Sequence, residues 1–178
     1  NTISDRFRAF ADRPLWNNFW FQAEPPHTLA MLRILGGAML FYTHLVWTLD
    51  LDAFLGSHGW ISSALSREIG QNTTPYAWSL FWYIDSPWLL WAAHIAALVV
   101  FALLALGLYT RVVSILAFLF ALSYCHRLQG ALYGLDQINA LLATYLMVGP
   151  SGAVWSLDRV LARNRSTESE PSPSVGAN

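Results

Sequence analysis

Eight side chains in this sequence could carry chemistry. His44, His94, His126, Tyr133, Asp136 and Asn139 make one group; Arg33 and Asp158 make another. Their setting is what singles them out. The chain is 55% hydrophobic and 12% charged, against about 25% charged residues in an ordinary soluble domain. An ionisable group inside an apolar helix must be paired, hydrogen-bonded or functional, because burying it unpartnered is costly. Three readings of the first group stand open. It is a hydrogen-bond network that fixes helix packing, a site for a quinone, lipid or other small molecule, or a metal site with His and carboxylate ligands. No local His-x-x-His or Glu-x-x-His spacing favours the metal, so no metal ligand is assigned. A buried carboxylate beside histidine is also what a proton relay needs. Arg33 reads as a snorkelling charge near a helix end, tied to Asp158 in a structural ion pair.

These residues fall on apolar segments long enough to need a bilayer. Thr28–Leu49 has ~22 residues and rises ~33 Å as a helix. Pro87–Tyr109 is the cleanest segment, interrupted only by His94. After a tight turn at Gly107, Thr110 and Arg111, Val112–Tyr124 follows almost without a loop, so these two must form an antiparallel hairpin. Gly130–Val148 is a fourth span of ~19 residues, ended by Gly149-Pro150. The expectation is an all-α integral membrane protein, a four-helix up-down bundle over residues 26–165. An interfacial amphipathic helix over 1–25 precedes it, and a Ser/Glu/Pro-rich disordered tail over 166–178 follows. The connection Asp50–Ser86 is too aromatic for a free linker. A short helix at Ser63–Ile69 and the run Ala77–Ile84 are expected to pack as a lid.

Spacing then places the polar groups. Arg33, Gly37, Leu40, His44 and Trp47 advance by threes and fours along one face of the first span. Gln129, Tyr133, Asp136, Ala140, Ala143 and Met147 do the same on the fourth. With both stripes inward, His44, His94, His126, Tyr133 and Asp136 would share one pocket in the outer half. Sidedness follows from arginine. Arg6, Arg8, Arg13, Arg111, Arg159, Arg163 and Arg165 fall on one side of a four-span chain, and only Arg67 and Arg127 on the other. Both termini are therefore expected in the cytoplasm.

Several function classes drop out. Ten arginines and no lysine, with a net charge of −1 and no basic run, argue against nucleic-acid binding. One cysteine, Cys125, permits no internal disulfide and no Cys-x-x-Cys motif. Gly149-Pro150-Ser151-Gly152 is not a nucleophile elbow, and no phosphate loop or dinucleotide fingerprint occurs.

The spaced pieces Leu32-Arg33-Ile34-Leu35-Gly36, Gly107-Leu108-Tyr109-Thr110-Arg111, Gly130–Asp136, Gly149-Pro150-Ser151-Gly152 and Trp155-Ser156-Leu157-Asp158-Arg159 resemble the HTTM domain. That family comprises bacterial relatives of the membrane part of vitamin K-dependent gamma-carboxylase. The resemblance covers roughly residues 7–165. It implies a polytopic helical domain in the bacterial inner membrane. In the carboxylase, a lysine base deprotonates vitamin K hydroquinone; oxygenation yields a stronger base that removes a glutamate gamma-proton, and carbon dioxide adds. Family members continue past the Trp-Ser-x-Asp element into spans holding that lysine. This chain has no lysine, so no catalytic residue is carried over. The expectation is a module without its own catalytic base, an accessory subunit or the N-terminal half of a longer protein, packed against lipid and other membrane helices. The alternative is a quinone-dependent carboxylase-like enzyme completed by further sequence.

Overall fold

The computed structural model describes residues 27–165, residue 58 excepted. The helix expected over 1–25 and the tail expected over 166–178 lie outside the described residues. Within them the chain is helical and holds no strand. Four helices carry the fold: α1 (His27–Trp47), α4 (Pro87–Leu106), α5 (Thr110–Arg127) and α6 (Gly134–Val148). Between α1 and α4 lie α2 (Leu51–Leu55) and α3 (Ser63–Thr73), with 3-10 turns at Thr48–Asp50 and Leu80–Tyr83; α7 (Leu157–Arg165) follows α6.

Each long helix packs on two others, in the ring α1–α4–α5–α6. Neighbours run antiparallel. The start of α4 meets the end of α1, where His94 bonds Thr48, and the end of α4 meets the start of α1, where Gly107 packs on Arg33. The up-down order expected from the sequence is therefore observed. The buried face of α1 carries Ala30, Arg33, Gly37, Leu40 and His44, as the spacing predicts. On α6 the face is rotated. Asn139, Ala143 and Leu146 point inward, while Asp136, Ala140 and Met147 flank them.

The helix boundaries differ from expectation at one end. Gly130 lies in a turn closed by the Ala131 N–H on the Leu128 carbonyl, and α6 starts only at Gly134. Asp136 dictates that start. Its carboxylate accepts the Tyr133 N–H at 3.0 Å, half of a capping box. With 15 residues, α6 rises ~22 Å, short of a ~30 Å hydrocarbon core. Two stretches are long and apolar enough to cross a membrane, His27–Leu55 and Pro87–Leu106.

Small residues let the helices meet. A Cβ on Gly37 would stand 2.7 Å from the Ala105 nitrogen and 2.8 Å from its Cα, so the backbones of α1 and α4 touch there. At Gly36 the obstacle is the Leu142 side chain, whose terminal methyl can turn away. Gly37→Ala should therefore lower stability by about 1–3 kcal/mol, and Gly36→Ala by clearly less. Paired thermal melts in detergent test the contrast; equal shifts for the two variants would contradict the backbone contact.

The expected lid is present. Ser66 Oγ donates to the Arg127 carbonyl at 2.7 Å and accepts from Trp82 Nε1 at 3.1 Å. Ser79 Oγ donates to the Ser123 carbonyl at 2.6 Å. The α3 end of the bundle is closed by these bonds, and the opposite end by α7.

Candidate functional site

Two polar assemblies sit at opposite ends of the bundle. At the α3 end, the register of three helices converges on Tyr124. The inward row of α5 runs Val113, Ala117, Ala121, Tyr124, and that of α4 runs Leu90, His94, Ala97, Phe101. His94 is fully buried, with Nε2 2.9 Å from Thr48 Oγ1 and Nδ1 2.7 Å from the Tyr124 hydroxyl. Both ring nitrogens are thus occupied. His44 Nδ1 lies 2.7 Å from the Leu40 carbonyl. A carbonyl only accepts, so Nδ1 carries the proton and, in the neutral ring, Nε2 is an acceptor. The His44 ring packs against Tyr124 at 4.3 Å and Phe101 at 4.7 Å between centroids.

Beside this cluster is a cavity of about 10 Å³, lined by His44, Tyr124, Cys125, Asp136 and Asn139 among others. That is room for about one water molecule. Asn139 is 3% exposed, and its Nδ2 has no partner among the described residues. A water in the cavity would satisfy it. Trp47, Leu132 and Asp136 also line a much larger groove of about 850 Å³ on the outside, between α1, α2 and the α5–α6 turn.

The six residues grouped from the sequence as one candidate site are therefore divided. His44, Asp136 and Asn139 meet at the small cavity, and His94 joins them through Tyr124. His126 does not. It belongs to the lid, where Nδ1 lies 2.7 Å from the Trp78 carbonyl oxygen and 3.2 Å from the Trp78 nitrogen. Tyr133 is 79% exposed and stands on the rim of the groove. Its displacement follows from the turn at Gly130, which removes it from the α6 helical register. Among the described residues no group of three His, Cys, Asp or Glu side chains could hold a metal. Tyr124, Thr48 and Arg127 were not singled out in the sequence. Tyr124 was legible as the next step of the row Val113, Ala117, Ala121, which repeats at the helical period.

At the other end Arg33, fully buried, reaches into the segment after α6. Nη1 donates to the carbonyls of Ser151 at 2.8 Å and Val154 at 3.4 Å, and Nη2 donates to that of Trp155. Gly107, at φ 74°, lies against this guanidinium; a Cβ there would stand 2.8 Å from Arg33 Cζ. Trp155 is itself left-handed at φ 51°, a costly conformation for a bulky residue. The expected Arg33–Asp158 ion pair is corrected here. The two charges feel each other, but Asp158 spends its oxygens on the start of α5. Oδ1 accepts from the Tyr109 N–H at 2.8 Å, and Oδ2 from the Thr110 N–H at 2.9 Å and its hydroxyl at 3.1 Å. A carboxylate at a helix N-terminus satisfies orphan donors and complements the helix dipole.

No family model, curated protein or solved structure matches the chain.

The chemistry of the two assemblies can be judged from their partners alone. Both ring nitrogens of His94 and both terminal nitrogens of Arg33 are bonded, while Arg33 Nε has no partner among the described residues; these ties suit the two side chains to holding helices together. Asp158 titrates in a way that reports the clasp. Desolvation pushes its carboxyl up, but the bonds from Thr110 and Tyr109 and the nearby Arg33 charge outweigh this and hold it below its ordinary value of 3.8. A depressed folded-state value contributes stability that is complete above the unfolded value and is lost as pH falls through the folded one. Asp158→Asn should therefore flatten the acid limb of a melting-temperature profile below about pH 4 while leaving its neutral limb parallel to wild type. An acid limb unchanged by the substitution would show that another group governs it.

Proposed function

We propose that this chain is a four-span, HTTM-type membrane module that acts as a structural or accessory unit and has no catalytic base of its own. The observation that carries this reading is the double clamp on His94 between Thr48 and Tyr124. A fully buried ionisable group of the bundle is consumed by packing, and the chain offers no lysine in its place. Three further facts support it. The most apolar window of α4 is only 28% buried, whereas a core helix of a soluble protein is mostly covered. Met31, Leu35 and Tyr42 on α1, and Trp88, Ile95 and Val99 on α4, face outward, where lipid or partner helices would cover them. Four of the pieces that resemble the HTTM family, those holding Arg33, Gly107, Ser151 and Asp158, meet in the single clasp at the α7 end.

In this reading α5 and α6 also cross, the α3 end faces outward, and both termini are cytoplasmic in a bacterial inner membrane. Single cysteines in a Cys125→Ser background test the topology. Gly130→Cys should react with an impermeant maleimide in intact cells and Tyr109→Cys should not; a protected Gly130→Cys would leave only two spans. Purified protein given reduced quinone, bicarbonate and a glutamyl peptide should fix no carbon dioxide, and turnover would overthrow the non-catalytic reading. A second reading, a small-molecule site, is favoured by one observation. The groove of about 850 Å³ falls in the range of about 300–1,000 Å³ typical of ligand pockets.

A further inference from the structure

Arg127 closes α5 at the lid end and is 0% exposed. Its Nη2 donates to the carbonyls of Leu55, Gly56 and Ile61, the last at 2.8 Å. Its Nε and Nη1 have no partner at all among the described residues. Burial has therefore left three of its five N–H groups unsatisfied. No carboxylate lies within ion-pairing distance among the described residues, so this cation lacks a counter-charge as well. A buried guanidinium in that condition is costly unless something anionic completes it.

The surroundings say what that something is. Arg127 lines a cavity of about 430 Å³ together with Thr73 and Gln129. The Gln129 carboxamide makes no hydrogen bond within the described residues, so its donor is free for an oxygen ligand. No acidic side chain lines the cavity. Ile61, Gly130 and Leu132 are shared with the larger groove, whose walls include Val46, Phe54, Trp60 and Leu135. An anion-seeking chamber thus opens into a mainly apolar and aromatic trough, in which Asp136 is the one acidic side chain among the lining residues, and the trough runs along the outward-facing side of α1.

We propose that Arg127 and Gln129 bind the head group of an acidic glycerophospholipid, with an acyl chain lying in the groove between α1 and the α5–α6 turn. Charge complementarity selects the head: a buried guanidinium with unpaired donors and no carboxylate within ion-pairing distance prefers a phosphate of net negative charge over a zwitterion. The apolar walls select the tail, which no free phosphate would need. The inference rests on the membrane reading only for the supply of the ligand.

The test uses full-length protein in a non-ionic detergent, so it is independent of the topology experiment. Native mass spectrometry and thermal melts are run with dioleoylphosphatidylglycerol, with dioleoylphosphatidylcholine and with inorganic phosphate alone. Wild type should retain one phosphatidylglycerol and melt higher with it, and should gain little from the other two. Arg127→Gln should weaken retention by about ten-fold or more. That variant also removes the ties to Leu55, Gly56 and Ile61, so Val46→Trp serves beside it. It fills the groove, leaves Arg127 intact, and should also lose the lipid. Equal retention of both lipids, protection by phosphate alone equal to that by phosphatidylglycerol, or retention unchanged in Val46→Trp would each overturn the proposal.

Discussion

Arg33→Met will be among the most destabilising single substitutions in this chain, costing about 3 kcal/mol or more. The change leaves the carbonyls of Ser151, Val154 and Trp155 without their donor, and each unsatisfied buried acceptor costs about 1–3 kcal/mol. The methionine occupies similar length, so lost volume contributes little. The loss centres on residues 151–155, because the segment keeps its separate tie from Asp158 to Gly107, Tyr109 and Thr110. Without Arg33 the left-handed Trp155 loses a bond that holds it, and Asp158 loses a nearby positive charge. Arg33→Lys should fall between the two, since an ammonium keeps the charge but is not a planar fork that spans several carbonyls. Reversible unfolding in mixed micelles provides the measurement. If Arg33→Met unfolds at the wild-type midpoint, the clasp is not a stabilising device.

The second large effect is expected at the three-residue chain Thr48–His94–Tyr124. His94→Ala removes a buried ring and strands the Tyr124 hydroxyl, and should cost about 3 kcal/mol. Tyr124→Phe keeps the ring that packs on His44, Phe81 and Trp47 and removes only the hydroxyl, and should cost about 1–2 kcal/mol. The double variant should be less destabilised than the sum by about 1 kcal/mol, because one bond is counted in both singles. Additive effects would mean that the 2.7 Å contact contributes nothing to stability. His94→Leu is the informative companion. It replaces a bonded polar group by an apolar one of similar size, so it should be milder than His94→Ala.

These two sites bear on how polar groups are used in so apolar a chain. At each end a charged or ionisable residue of α1 or α4 is held by groups far away in sequence: Arg33 by Ser151–Trp155, His94 by Tyr124. Such ties fix the rotation and depth of each helix, which apolar packing alone leaves loosely specified. Arg127 is the exception. It is buried like Arg33, whose Nε also lacks a partner among the described residues, but it is bonded at one nitrogen where Arg33 is bonded at two, which leaves more of its donors for the ligand proposed above.

How much of this was legible beforehand varies by element. Composition and the run Pro87–Leu106 fixed the helical class, because a continuous apolar stretch of that length has no other stable form in or near lipid. The inward face of α1 followed from its spacing, since Arg33, Gly37, Leu40 and His44 repeat at the helical period. Antiparallel order followed from the shortness of the Gly107–Tyr109 turn. The lid followed from the aromatic content of Ala77–Ile84. The start of α6 did not follow. Tyr133-Gly134-Leu135-Asp136 is a helix N-terminus by its capping box, but the apolar run on either side hides it, and that one boundary moved Tyr133 from pocket to rim.

Partner choice was the other thing beyond the sequence. Local periodicity determined which residues of each helix turn inward. It could not determine which inward residues meet, because helix rotation and axial offset are set by contacts between backbones, such as Gly37 on Ala105. So Arg33 and Asp158 were rightly placed at one end of the bundle and wrongly joined to each other. Backbone carbonyls, invisible to any reading of side-chain types, took the arginine, and the backbone N–H groups at the start of α5 took the aspartate. The same blindness hid Arg127, whose missing counter-charge is a property of the cavity around it and of no residue by itself.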